Sequence, residues 1–138
     1  MITQCLTASF KQELLQGIHN FDTDTFKIAL YTSASDISSA TTVYTTTNEI
    51  SGTGYTAGGG TLVNLGVSLS GTTAYTSWQD FTWSNSTLTT AGALVYNASK
   101  GNRSVAVLNF GGSYSTSAAP FTVTFPANNS TTAPVIIY

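Results

Sequence analysis

The stretch Val63-Asn64-Leu65-Gly66-Val67-Ser68-Leu69 places an apolar residue at every second position. Successive side chains of a β-strand point to opposite faces, so this alternation predicts a strand with one apolar face and one polar face. Residues 26–31 and 121–125 follow the same period. Because alternation with one solvated face is typical of antiparallel sheets, we expect a mainly β protein in which such strands bury their apolar side.

Two further runs, 93–96 and 104–110, are apolar on both faces. Turn-forming residues separate the runs, among them Gly71, Gly101-Asn102 and Gly111-Gly112. About seven strands with one helix predict an antiparallel β-sandwich of the jelly-roll or Ig-like type, and an open barrel is the alternative. A chain of 138 residues is about one domain, so the prediction covers residues 1–138 as a single β-sandwich domain.

The first twenty residues carry the one helical pattern. Ser9 and Gln12 have the spacing of a capping box, and Asn20 is a suitable helix end because Asn tolerates the left-handed conformation. Four apolar residues follow the cap at helical spacing: Phe10, Leu14, Ile18 and Phe21. The pattern predicts an amphipathic helix over residues 8–20, preceded by an extended N-terminal arm over residues 1–7.

The chain carries unusually few charges. Only 7% of its residues are Asp, Glu, Lys or Arg, against roughly 25% in ordinary domains, whereas Ser and Thr supply 42 of the 138 residues. Four basic residues against six acidic ones form no basic patch, so we expect no nucleic-acid partner. No apolar run approaches the ~20 residues of a membrane span, so we expect no membrane partner either. So little charge favours a subunit docked in an assembly over a free monomer.

Side chains that could support catalysis are scarce. Asp22 and Asp24 are the only closely spaced carboxylates, and their sequence context is that of a turn. His19 is expected at the end of the helix, bonded to a last-turn carbonyl, and Cys5 as a small hydrophobe with a free thiol. One His and one Cys are too few for a Cys/His zinc site, and no Gly-x-Ser-x-Gly motif marks a nucleophile. We therefore expect no enzyme activity, no metal and no cofactor.

Three features could instead contact a partner: the N-terminal arm, the glycine-rich loop over residues 52–60, and the tryptophans. Loops of this composition are mobile tips or become ordered on binding. Trp78 and Trp83 are five residues apart and so face opposite sides of a regular strand. We favour core packing of both, and the alternative is that one of them is exposed, as a platform for a sugar or an anchor for a protein. The candidate contact residues are Met1, Ile2, Thr3, Gln4, Cys5, Gly54, Tyr55, Gly58, Gly59, Trp78 and Trp83.

Four stretches carry a family resemblance: Ile18-His19-Asn20-Phe21, Thr25–Thr32, Gly52–Gly59 and Gly92–Asn97. They resemble a family of small virion proteins of tailed bacteriophages, and the resemblance extends from Met1 to about Pro126. Within that family the chain is similar to head decoration proteins, also called cement proteins.

The resemblance implies a non-enzymatic protein that binds the outer surface of the phage head and stabilises the shell. Its partner would be the major capsid protein, and it would form a dimer or trimer on the capsid. It would be located on the capsid surface of the virion after synthesis in the host cytoplasm, in agreement with an N-terminus that lacks the pattern of a secretory signal. Two alternatives remain: a tail or fibre structural protein, and a carbohydrate-binding module displayed on the virion with a glycan as partner.

Overall fold

The computed structural model describes all 138 residues, Met1–Tyr138, and the protein is mainly β with antiparallel sheets and one short α-helix. The elements, in chain order, are β1 (Cys5–Leu6), α1 (Ala8–Leu15), β2 (Phe26–Tyr31), β3 (Gly60–Thr61), β4 (Asn64–Ser70), β5 (Thr73–Trp78), β6 (Phe81–Ser86), β7 (Thr89–Asn97), a 3-10 helix (Ala98–Lys100), β8 (Arg103–Ser115), β9 (Ala119–Val123) and β10 (Val135–Ile137).

The strands form three sheets. A five-stranded sheet has the order β1-β8-β7-β2-β3, a three-stranded sheet the order β10-β5-β4, and a two-stranded ribbon pairs β6 with β9. Every pairing is antiparallel. The predicted mainly β, antiparallel architecture is therefore confirmed.

The centre of the five-stranded sheet is covered on both faces. Along β2, Ile28 and Leu30 belong to a core cluster of 17 buried residues, whereas Ala29 and Tyr31 belong to a second cluster of eight on the opposite face. Because alternate side chains point to opposite faces, a strand between two cores must be apolar at nearly every position. This explains why the sequence runs 93–96 and 104–110, which lie in the paired strands β7 and β8, are apolar at nearly every position.

The helix begins at Ala8, as predicted, but it ends at Leu15 rather than at residue 20. Gly17 adopts φ +74, which turns the chain out of the helix. The N-cap is Thr7, whose Oγ1 accepts a hydrogen bond from the backbone N–H of Phe10, so the predicted capping box of Ser9 and Gln12 is wrong. The apolar spacing predicted too long a helix because Phe21, which lies beyond the helix, packs into the same core as Phe10.

Candidate partner-binding surfaces

Both tryptophans lie in the core. The exposed fraction is 2% for Trp78 and 6% for Trp83. The Trp78 ring packs 5.5 Å from that of Phe125, and the Trp83 ring packs 4.5 Å from that of Phe81. The favoured interpretation, core packing of both tryptophans, is therefore confirmed, the alternative of one exposed tryptophan is wrong, and neither provides a surface platform for a sugar. A five-residue spacing indicated opposite faces only if both lay on one strand, whereas Trp78 ends β5 and Trp83 lies in β6.

The N-terminal arm is part of the five-stranded sheet. Cys5 and Leu6 form β1 and pair with β8, and the backbone N–H of Thr3 donates to the carbonyl of Ile37. Ile2 is buried, whereas Met1, Thr3 and Gln4 are exposed and Cys5 is half-buried. Burial raises the pKa of the Cys5 thiol. The arm predicted over residues 1–7 is therefore joined to β8 at Cys5 and Leu6, and parts of its surface remain accessible.

The glycine-rich loop is fixed by close packing. A Cβ atom at Gly59 would overlap the backbone oxygen of Ile28, and one at Gly54 would overlap the backbone oxygen of Asn85. Gly54 is exposed, Tyr55 and Gly59 are half-buried, and Gly58 is buried. The glycines therefore permit the backbone to approach neighbouring strands, and the prediction of a flexible loop is wrong.

A single carboxylate ties this loop to the rest of the protein. Glu49 accepts hydrogen bonds from the hydroxyls of Tyr44 and Tyr55, both at 2.7 Å, and from the backbone N–H of Gly58 at 2.9 Å. Burial, together with the negative charge of Glu49, raises the pKa of Tyr55 well above its usual range and that of Tyr96 to about 12. These phenols therefore stay protonated at neutral pH and can donate.

A second polar cluster, which the sequence did not predict, fastens the segment after α1 to the sheet. The imidazole of His19 is fully buried, with Nε2 2.9 Å from Oε1 of Glu13 and Nδ1 3.0 Å from Nδ2 of Asn97. Asn97 also donates to Asp24 at 2.8 Å, and Arg103 donates to the other oxygen of Glu13 at 2.6 Å. The prediction that His19 lies at the end of the helix and bonds a last-turn carbonyl is therefore wrong.

Hydrogen bonds set the ionisation of the two carboxylates in this cluster. Burial would raise the pKa of Glu13, but hydrogen bonds from His19 and Arg103 outweigh it and hold the pKa below its usual value. Burial acts in the same direction on Asp24, where bonds from Asn97 and from the backbone of Asn20 prevail and lower the pKa. The bond from Asn20 makes Asp24 a turn-capping residue, as predicted. The cluster holds the helix and the sheet together.

The apolar side chains of β4, and that of Val63 just before it, face solvent, and a register shift between Asn64 and Val67 interrupts their alternation. The exposed fractions are 54% for Val63, 42% for Leu65, 53% for Val67 and 72% for Leu69. The alternation predicted the strand correctly, but the expectation that it buries its apolar side is wrong. β4 is the last strand of its sheet, and the rest of the protein does not cover these side chains. We call these four residues the β4 stripe.

A second surface without charged residues is a groove of about 620 Å³, here called the β8–β9 groove. It is lined by Gln4, β1, residues 106–110 of β8, Tyr114 and the stretch that contains β9, and none of its lining residues is charged. The exposed fraction of Tyr114 is 53%. The side-chain oxygen of Gln4 accepts from the backbone N–H of Asn109, whose own amide donates to Ile2 and accepts from Gly111. The side-chain oxygens of both amides therefore already accept hydrogen bonds within the protein.

No group of three or more His, Cys, Asp or Glu side chains is placed to hold a metal ion. None of the helices combines the length and the hydrophobicity that a membrane crossing requires. Comparisons of the chain with protein-family models, with curated proteins and with solved structures found no match.

Proposed function

We propose that this protein is a non-enzymatic structural protein of a virion, a decoration protein that binds the outer surface of a tailed-phage head and stabilises the shell. One structural observation carries the proposal. Ten large hydrophobic side chains are exposed, as many as all the charged residues of the chain together. Four of them, Val63, Leu65, Val67 and Leu69, are clustered in the chain. Clustered exposed apolar surface marks contact sites, and a free monomer would normally replace it with charge. The kind of assembly is proposed only from the resemblance of four sequence stretches to small phage virion proteins.

The β8–β9 groove is the proposed contact with the major capsid protein. Its neutral lining favours an uncharged partner segment, because a charged group would lose its hydration there without meeting an opposite charge. The lining is mostly apolar and runs beside β1, a strand of two residues. An extended, uncharged segment of the shell protein fits this groove by strand addition. Gln4 and Cys5, two of the arm residues nominated from the sequence, line it.

We also propose that the three sheets together form a β-sandwich. The largest core cluster contains Ile28 and Val95 of the five-stranded sheet, Trp78 of the three-stranded sheet, and Trp83 and Val123 of the two-stranded ribbon. Sheets that share one core pack face to face, which supports a β-sandwich of the jelly-roll or Ig-like type.

Head binding tests the function directly. The purified protein is mixed with expanded, undecorated heads of the phage that encodes it, the heads are pelleted, and bound copies are counted. We expect saturation at a fixed ratio to the shell subunit and greater resistance of the heads to heat. Many weak contacts on a repeated lattice make modest affinity per copy sufficient. Failure to bind heads would overturn the proposal; assembly into phage tails, or glycan binding on an array, would then identify an alternative.

The groove is tested with two matched variants. Tyr114→Asp places a charge in the groove, whereas Val43→Asp places the same charge on a valine that is 48% exposed and outside it. We expect Tyr114→Asp to weaken head binding about tenfold or more, because a buried unpaired carboxylate costs several kcal/mol. Val43→Asp should bind like the wild type. Equal binding by both variants would exclude the groove as the contact.

A further inference from the structure

The β8–β9 groove runs beside an unpaired edge of β9, which pairs only with β6. The groove is lined by the consecutive residues 121–124, so it follows the edge of the strand and not one of its faces. The hydroxyl of Ser86 donates to the carbonyl of Ala119, and the backbone N–H of Phe125 donates to Asp80, so odd-numbered residues address the side of β6. Because the backbone groups of successive residues point to opposite sides, Thr122 directs its N–H and C=O away from β6.

The position of Pro120 agrees with this direction. Proline has no N–H, so within a sheet it occupies positions whose N–H would face the unpaired side. Pro120 lies two residues before Thr122 in the chain and therefore on the same side of the strand. Proline blunts the beginning of this edge, whereas Thr122 and Thr124 retain their N–H groups. The part of the edge that can still pair is thus the part that borders the groove.

The same groove opens onto the core of the protein. Four half-buried side chains pack against the main core cluster and also line the groove: Leu6, Leu108, Phe110 and Phe121. The rings of Phe110 and Phe121 are 5.9 Å apart, so β8 and β9 are in contact across it. An apolar floor beside an unpaired strand edge is a surface that one additional strand would cover, because its backbone would bond the edge while its side chains pack on the floor.

The shape of the groove selects a single extended segment. β9 borders it on one side, and β1 and β8 border it on the other. A strand that already belongs to a folded sheet would bring its neighbouring strands against these walls, whereas a segment without a sheet of its own can enter. The lining is mostly apolar and carries no charged residue, so the side chains that the segment turns inward must be apolar as well.

We propose that the shell protein supplies one β-strand that pairs with the free edge of β9 and packs its alternate, apolar side chains on the groove floor. The inference rests on the proposed function, which names the partner, and adds how the partner is held. A segment as long as β9, five residues, is about 17 Å long and buries a few hundred Å² on each side. Standard stable interfaces use about 800 Å² per partner, so each contact is weak and the repeated lattice supplies the avidity.

A fused strand tests the pairing without a phage head. Gln4 and Cys5 line the groove, so a segment of alternating Val and Thr, joined ahead of Met1 by a flexible Gly/Ser linker, can reach it. Such a link gives an effective concentration of about 1 mM, which is sufficient for a weak contact. We expect hydrogen exchange at the N–H of Thr122, followed by NMR, to slow about tenfold relative to the unfused protein. Exchange at Leu69, which lies in another sheet, should not change.

The matched control is the same fusion with proline at the centre of the segment, because a strand interrupted by proline cannot pair normally. Exchange at Thr122 should then equal that of the unfused protein. Equal protection by both fusions, or protection by neither, would overturn the pairing. Protection of Thr122 in concentrated unfused protein would assign the strand to a second copy and overturn the choice of the shell protein.

Head binding separates this inference from the proposed function. Thr122→Pro removes the N–H that an incoming strand needs, whereas Thr122→Val retains it, and both variants lose the hydroxyl contact with Thr82. Similar urea midpoints will show that both are folded, and we expect Thr122→Pro to bind heads about tenfold more weakly. Equal binding by the two, with Tyr114→Asp still defective, would retain the groove as the contact and overturn strand pairing. A wild type that binds no heads would overturn the proposed function and, with it, the shell protein as the donor.

Discussion

Nε2 of His19 lies 2.9 Å from Oε1 of Glu13, with the imidazole fully excluded from solvent. The amide nitrogen of Asn97 can only donate, so Nδ1 of His19 accepts from it and the ring proton is on Nε2. That proton is donated to Glu13, which also accepts from Arg103. Two of the ten charged residues, Glu13 and Arg103, thus attach the helix to the sheet.

This arrangement predicts a loss of stability in acid. The pKa values of Glu13 and Asp24 are held below their usual values in the folded state, so the unfolded chain binds protons more tightly than the folded one. The stabilisation is complete above the unfolded values of about 4 and is lost as the pH falls through the folded values. Urea unfolding followed between pH 7 and pH 3 should show a falling midpoint below about pH 5.

The variant that tests the origin of the acid instability is Glu13→Gln, and its matched control is Asp36→Asn. Glu13→Gln removes a carboxylate of the cluster and should flatten the decline with pH, although it lowers stability at pH 7. Asp36 is exposed and outside the cluster, so its variant should follow the wild type. Parallel acid curves for all three proteins would show that the cluster does not cause the decline.

Asn97 is expected to be the most sensitive uncharged position of the cluster. Its side chain is completely buried, donates to His19 and Asp24, and accepts from the backbone N–H of Ser99. Asn97→Ala removes these bonds, leaves Nδ1 of His19 without a partner, and should lower the free energy of unfolding by ~3 kcal/mol. Asn109→Ala, at an exposed asparagine, should cost ~1 kcal/mol. Equal losses at the two positions, measured by chemical denaturation, would contradict this assignment.

Local patterns in the sequence predicted the strands well because period two is a local property. The predicted runs 26–31 and 63–69 correspond to β2 and, displaced by one residue, to β4. The side that each strand buries was not predictable in the same way. It depends on the order of strands in a sheet, and only the position of β4 at an edge explains why Leu69 is exposed.

The candidate sites depended even more on distant parts of the chain. His19 joins Glu13 to Asn97, which is 78 positions away, and no spacing in the sequence indicates that contact. The glycines of residues 52–60 were ambiguous for another reason. Glycine permits both mobility and close backbone approach, and only the neighbouring strands decide between the two.

Close approach at Gly59 gives a direct test of the fixed loop. Gly59 and Gly17 adopt similar φ angles, +79 and +74, so alanine is strained at both by about 1–2 kcal/mol. A Cβ at Gly59 also overlaps the backbone of Ile28, whereas one at Gly17 meets nothing within 4 Å. Gly59→Ala should therefore lower the free energy of unfolding by ~3 kcal/mol or more, against ~1 kcal/mol for Gly17→Ala. Similar losses would indicate a loop that moves aside freely.

The position of the helix cap predicts a contrast between two neighbouring hydroxyls. Thr7 is completely buried, its Oγ1 accepts from the backbone of Phe10, and it accepts a second bond from Ser104 at 2.9 Å. Thr7→Ala should lower the free energy of unfolding by ~2 kcal/mol, the upper range for a lost N-cap. Ser9 is half-buried and makes one long contact of 3.3 Å with Ser104, so Ser9→Ala should cost less than ~0.5 kcal/mol. A larger loss for Ser9→Ala than for Thr7→Ala would restore the cap to Ser9 and move the start of the helix.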